Sequence, residues 1–210
     1  MQQQLFPDIE NTVVKSVYHQ QDDILKSIIR LHCPEGIQTD LTYGNGSFYK
    51  NIEKPEHMFD IQPLHDGVIE SCSTNTPMEN KSLKSVAFDP PFLTYIRNNR
   101  SGNGNMIMSK RFSGYWRYDE LLDHYFKTIQ EVARILKSKG VFIFKCQDII
   151  HNHKMHCTHN EVINHCCENG FRLLDLFILA AKHRLPAPNK KKTQKHASVF
   201  HSYFLVFKKL

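Results

Sequence analysis

The sequence predicts an α/β fold built on a mainly parallel sheet, and three observations carry that expectation. Short apolar runs of strand type alternate with segments of helical periodicity along most of the chain. Several of these runs stop abruptly at glycine, aspartate or proline, as strands entering connecting turns do. The last two apolar runs are joined by a basic stretch, LPAPNKKKTQK, with no helical period, which predicts one antiparallel C-terminal strand at the edge of the sheet.

Taken in order, residues 20–31 (QQDDILKSIIRL) set Ile24, Leu25, Ile28, Ile29 and Leu31 on one face of a helix. A short strand over 37–42 runs into the turn Gly44-Asn45-Gly46, and a second strand over 57–61 contains Asp60 and is stopped by Pro63. Residues 85–88 (SVAF) read as a buried strand that ends in Asp89-Pro90-Pro91. The polar stretch 93–118, with SGNGN at 101–105, reads as a mobile substrate loop. The longest helix is expected over 119–137, with its apolar stripe on Leu121, Leu122, Tyr125, Phe126, Ile129, Val132, Ala133 and Leu136, and with Gly140 closing it. A continuous apolar strand, VFIFKC, follows over 141–146, then a helix over 159–168 and the two final strands over 172–180 and 199–208. Ligands of open sheets bind beyond the carboxyl ends of the strands, and Gly44-Asn45-Gly46, Asp60 and Asp89-Pro90 all fall at such ends.

Bulk properties bound the function. The 210 residues, 40% hydrophobic and 23% charged, fit one domain over 1–210 with residues 1–15 as an N-terminal extension. A net charge of +6 mildly favours polyanionic partners. The first residues lack the basic and apolar regions of a secretory signal, and no run reaches the roughly 20 apolar residues of a membrane span. A cytoplasmic protein without a membrane partner is therefore expected, with its six cysteines as reduced thiols. His151, His153, His156, Cys157 and His159 follow no familiar zinc spacing, so they read as a polar loop and no metal is expected.

The chemistry centres on Asp89-Pro90-Pro91-Phe92. Proline fixes its own φ and pushes the preceding residue out of the helical region, so the pair makes a stiff, extended strand exit. Prolines donate no N–H, which leaves the Asp89 and Pro90 carbonyls to face the cleft. A carboxylate beside such a carbonyl offers two acceptors to an NH2 group, and Phe92 can stack on a planar base.

SVAFDPPF resembles the catalytic motif of the amino-methyltransferases, the N6-adenine and N4-cytosine enzymes whose signature is Asp, Asn or Ser followed by Pro-Pro-aromatic. The stretch from Thr39 to Phe48 is similar to that family's cofactor loop, and Asp60 lies 20 residues after Asp40, where class I methyltransferases place the acid for the ribose hydroxyls. The segment Thr76-Pro77-Met78-Glu79-Asn80 resembles the loop bordering the cofactor adenine, and the last strand resembles the closing strand of small phage and bacterial DNA methyltransferases. The resemblance spans roughly residues 16–208 and implies one Rossmann-like class I domain with a seven-stranded sheet that binds S-adenosyl-L-methionine. By that resemblance the catalytic residues are Asp89, Pro90, Pro91 and Phe92; the cofactor residues are Asp40, Thr42, Tyr43, Gly44, Asn45, Gly46, Asp60, Ile61, Cys72, Met78 and Asp89. Two positions depart from the pattern: Cys72 or Ser73 stands where the family carries an acid, and Tyr43 where it often has a small residue.

For the substrate, Arg97, Arg100, Lys190, Lys191, Lys192 and Lys195 are candidates to neutralise phosphates at the cleft mouth, and Tyr115 and Trp116 to stack on a base. The leading expectation is a DNA methyltransferase, adenine N6 favoured over cytosine N4. An RNA or protein amino-group methyltransferase and a non-catalytic nucleic-acid-binding module stay open beside it.

Overall fold

The computed structural model describes residues 13–94, 114–181 and 195–210. Along them run β1 (Val17–Tyr18), α1 (Gln21–His32), β2 (Thr39–Asp40), a single 3-10 turn (Ser47–Tyr49), β3 (His57–Asp60), β4 (Ile69–Glu70) and β5 (Leu83–Phe88). The second half holds α2 (Tyr118–Ile135), β6 (Leu136–Cys146), β7 (Ile149–His151), β8 (Lys154–His156), α3 (Thr158–Glu168), β9 (Phe171–Ala180) and β10 (His201–Lys209). Among the described residues the main sheet has eight strands in the order β1-β9-β10-β6-β5-β2-β3-β4, all parallel to their neighbours except β10.

Strict alternation along the central strands builds three layers. Val86 and Phe88, Phe142 and Phe144, and Leu205 and Phe207 pack on one face against Leu121, Tyr125, Ile129 and Val132 of α2 and Val162 and Cys166 of α3. Ala87, Val141, Ile143, Phe204 and Val206 turn to the other face, where Ile24, Leu25 and Ile28 of α1 cover them with Tyr43, Phe48 and Tyr49. Helix α2 starts where Glu120 accepts the free N–H groups of Trp116 and Arg117 through its Oε2.

The α/β architecture and its mainly parallel sheet agree with the expectation; four details do not. The antiparallel strand β10 is not at the edge but lies between β6 and β9. The run Phe204-Leu205-Val206-Phe207 is wholly buried on both faces, which only an interior strand achieves. The edge beyond β9 is taken by β1, whose Val17 and Tyr18 pair with Ile178 and Leu179, so the sheet exceeds the expected seven strands. Helix α2 passes directly into β6 at Leu136, and Gly140 does not close the helix. A Cβ at Gly140 would come within 2.9 Å of both Leu136 Cδ2 and the Lys137 carbonyl, so glycine there serves close packing. Finally, the histidine-rich segment is not a loop: β7 and β8 pair as a hairpin whose turn residues Asn152 and His153 both hold positive φ, as a tight primed turn demands.

Candidate functional site

The strand order reverses between β2 and β5, because the chain runs outward from β2 to β3 and β4 and then returns to β5 on β2's other side. A cleft opens at such a reversal beyond the carboxyl ends of the strands. Asp40, at the end of β2, and Asp89, just past the end of β5, stand side by side at this reversal.

Beyond Asp40 the chain must fold back tightly, and Gly44 and Gly46 take φ values of 56° and 72° to do so. A Cβ on Gly46 would stand 2.9 Å from the Tyr43 hydroxyl and 3.1 Å from its ring. From the end of β3, Asp60 accepts the Gly44 N–H at 2.8 Å through one carboxylate oxygen and the Gln62 N–H at 2.8 Å through the other. Each oxygen keeps a further lone pair for a ligand.

Asp40 lies beneath this turn with 1% of its surface exposed. Its Oδ1 accepts the Thr42 N–H at 2.7 Å and the Thr42 hydroxyl at 3.4 Å, and the Tyr49 hydroxyl interacts with the same carboxyl. Burial pushes the Asp40 carboxyl up to about 7, and the negative charge of Asp89 acts in the same direction.

Thr42 also joins the two strand ends, its hydroxyl accepting the Asp89 N–H at 2.8 Å. Past Asp89 the prolyl turn is fixed from below by the wholly buried Tyr125, whose hydroxyl donates to the Pro91 carbonyl at 2.8 Å. Among the described residues no donor reaches the Pro90 carbonyl. The Asp89 carboxylate receives the Lys145 ammonium at 2.9 Å on Oδ2, from the adjacent strand β6. Lys145 also donates to Gln21 Oε1 at 2.8 Å and lies over the Phe48 and Phe204 rings, 5.6 and 5.4 Å from their centres.

No protein-family profile matches the chain, and no curated protein matches its sequence. Solved structures do match. A candidate sarcosine dimethylglycine methyltransferase from Galdieria sulphuraria is 17% identical and superposes at a TM-score of 0.55, over 89% of this chain and 84% of that one. The N-methyltransferase NodS from Bradyrhizobium japonicum is 9% identical at a TM-score of 0.52, over 90% and 96% of the two chains. The fold is that of the Rossmann-like methyltransferases. Structures of a candidate DNA modification methylase from Thermus thermophilus, 18% to 24% identical, match at TM-scores of 0.33 to 0.47; they cover 44% to 73% of this chain, which spans 38% to 54% of their length.

Within this methyltransferase fold the residues expected at the site divide into two groups. Asp40, Thr42 and Asp89 form one hydrogen-bonded set, and Gly44 and Asp60 form a second. Gly46 and Asn45 complete the turn, with Asn45 Oδ1 accepting the Ser47 N–H at 3.1 Å. Ile61 is 65% exposed at the end of β3. Cys72 is exposed, and Met78 packs half-buried on the core. Tyr43 is placed otherwise than a cofactor-facing side chain: its ring is buried and stacked on Tyr49 at 5.7 Å, so a large residue fits because it turns inward. Lys195 is exposed shortly before β10, at the same end of the sheet, whereas Arg97, Arg100, Lys190, Lys191 and Lys192 lie outside the described residues.

Three features escaped the sequence reading. Lys145 is one; its only trace was a charge near the end of the apolar run VFIFKC. Tyr125 falls on the helical stripe by its spacing, which gives no sign that its hydroxyl pins the prolyl turn. The third is the anchoring of loop 72–80. Ser73 binds His124 Nε2 at 2.8 Å and Thr128 Oγ1 at 2.9 Å, and Thr76 donates to Glu131 Oε1 through both its N–H, at 2.8 Å, and its hydroxyl, at 2.6 Å. Arg134 then ties Glu131 to the Met78 and Thr76 carbonyls.

Proposed function

We propose that the chain is an S-adenosylmethionine-dependent methyltransferase that modifies an exocyclic amino group of DNA, with adenine N6 favoured over cytosine N4. The observation that carries the reading is the link that Thr42 makes between Asp40, at the strand end that leads into the glycine turn, and the Asp89-Pro90-Pro91 exit. That link sets a ligand cradle beside an acceptor pair.

The residues present fit the cofactor. Gly44 brings bare backbone to the cleft, where an added Cβ would meet nothing nearer than the Thr42 carbonyl at 3.9 Å, Asp60 keeps lone pairs for ribose hydroxyls, and Asp40 places a buried carboxyl beside the turn. Thr42, Asn45, Ile61, Cys72 and Met78 border the same cradle in this reading. S-adenosylmethionine bound there supplies a transferable methyl group on a sulfonium.

The chain's own work is positioning. Asp89 and the Pro90 carbonyl accept the two hydrogens of an NH2 group, which turns the nitrogen lone pair into the cleft. Phe92 stacks on the base. The nitrogen would gain the methyl as the methyl carbon–sulfur bond breaks, leaving a neutral thioether, and would release one proton to water. A base in duplex DNA must first leave the stack, at a cost of a few kcal/mol. The preference for DNA rests on the resemblance of SVAFDPPF to the DNA enzymes and on the net charge of +6. Arg97, Arg100, Lys190, Lys191, Lys192 and Lys195 are the proposed phosphate contacts.

The test is incubation with methyl-labelled S-adenosylmethionine and separate pools of unmethylated DNA, RNA and protein, followed by hydrolysis to nucleosides and amino acids. Label in N6-methyladenine of DNA is the expected result. Label in N4-methylcytosine corrects the base, and label only in RNA or protein overturns the DNA reading. No transfer together with no cofactor binding returns the chain to a binding module.

A further inference from the structure

The pairing of Asp89 with Lys145 goes one step beyond this reading and rests on it. We propose that Lys145 is a positioning residue for the methyl-accepting amine: it engages Asp89 Oδ2 and thereby presents Oδ1, with the Pro90 carbonyl, to the incoming NH2 group.

The geometry is specific. Lys145 Nζ is 2.9 Å from Asp89 Oδ2, with the two side chains 12% and 23% exposed. Its stem comes from β6, where Phe88 pairs with Phe144, so Asp89 and Lys145 are the next residues on adjacent parallel strands. A second N–H is spent on Gln21 Oε1 at 2.8 Å, at the start of α1. Phe48 and Phe204 lie against the ammonium and prevent it from swinging to solvent. Lys145 therefore has one place to be. Asp89 Oδ1, by contrast, has no partner among the described residues.

Desolvating an ammonium and a carboxylate together is weak as a source of stability, and apolar replacements of such pairs often fold as well. The pair makes better sense as orientation. An ammonium has donors only, so the oxygen it holds is directed away from the substrate, and a carboxylate free to rotate becomes one fixed acceptor. It also balances the charge of Asp89 beside the second acid, Asp40. Two fixed acceptors then meet the two hydrogens of one NH2 group.

The experiment compares Lys145→Met, which keeps the stem and removes the charge, with Lys145→Arg and Lys145→Gln. Turnover, substrate KM, S-adenosylmethionine affinity and the thermal midpoint are measured for each, in the wild-type and Asp89→Asn backgrounds. Misplacing a reacting group can cost about 100-fold, so Lys145→Met should lower kcat on that order while cofactor affinity holds, and Lys145→Arg should recover most of it. In the Asp89→Asn background Lys145→Met should add little further loss, because it acts through Asp89. Undiminished kcat in a folded Lys145→Met or Lys145→Gln protein overturns the inference. So does an equal loss in both backgrounds. A wild-type protein that binds S-adenosylmethionine but methylates no pool overturns the methyltransferase reading and this role with it.

Discussion

Replacing Asp40 with asparagine keeps the shape of a buried side chain and removes its charge. The burial of the carboxyl sets the direction of the effect and its order of magnitude. Burial lifts the Asp40 carboxyl from the ordinary 3.8 to about 7, a change of roughly three units at about 1.4 kcal/mol each. At or below pH 4 the folded and unfolded chains both carry the group protonated, and the substitution should be nearly neutral. Between pH 4 and 7 the unfolded chain ionises first, so the folded protein binds the extra proton and its stability falls as pH rises. Above pH 7 the loss is complete, at about 4 kcal/mol. Asp40→Asn should therefore be more stable than the wild type by up to that amount at pH 8, and the gain should vanish toward pH 4. The asparagine carbonyl can still accept from Thr42, as Oδ1 does now at 2.7 Å, so the turn survives. Urea midpoints of the cofactor-free proteins at pH 4, 5, 6, 7 and 8 measure the difference directly, and titrating groups remote from Asp40 cancel between the two curves. A difference that stays flat with pH, or one that favours the wild type at pH 8, would refute the assignment of a buried and largely desolvated acid at position 40.

Three further perturbations probe the same site. Gly46→Ala forces a Cβ to within 2.9 Å of the Tyr43 hydroxyl at a φ of 72°; a loss of about 1–3 kcal/mol in denaturant unfolding is expected, with weaker cofactor binding by calorimetry. Tyr125→Phe removes the donor to the Pro91 carbonyl and should cost about 1 kcal/mol in stability while lowering kcat more than it raises KM, both read from steady-state kinetics and thermal melts. Glu131 is held below the usual carboxylate range: its burial works upward, but hydrogen bonds from Arg134 and Thr76 outweigh it. The stability it contributes is present above the unfolded value and is lost as pH falls through the folded one. Protection factors of loop 72–80, taken relative to the intrinsic exchange rate at each pH, should fall at acid pH, and Glu131→Gln should lower them at neutral pH too.

What could be read from the sequence was what is local. The prolyl exit after Phe88 and the glycine turn after Asp40 are written in consecutive residues, and backbone sterics alone place them at strand ends. That both come to neighbouring strand ends followed from the α/β alternation, since a parallel sheet has its connections at fixed ends. The position of β10 depends on which distant strands pair with it, and its wholly apolar run YFLVF was the one hint of an interior place. Lys145 and Asp89 are 56 residues apart, and Thr76 and Glu131 are 55 apart, so neither contact leaves a spacing pattern. The hairpin at 149–156 was hidden by its histidines. His156 lies against Tyr118, with ring centres 3.9 Å apart, and His151 Nδ1 is 3.2 Å from Thr94 Oγ1. Polar side chains there serve as packing and hydrogen-bonding surface beyond the carboxyl end of β6.

Whether the carboxylate at position 89 serves the acceptor amine beside a separately bound cofactor is decided most directly by one comparison. Wild-type protein and Asp89→Ala are each titrated with S-adenosylmethionine by calorimetry and then incubated with the labelled cofactor and unmethylated DNA. Comparable binding by both proteins, with label entering N6-methyladenine only in the wild type, is the predicted result. Equal transfer by the two proteins would contradict it, as would a variant whose lost transfer is fully explained by lost cofactor binding.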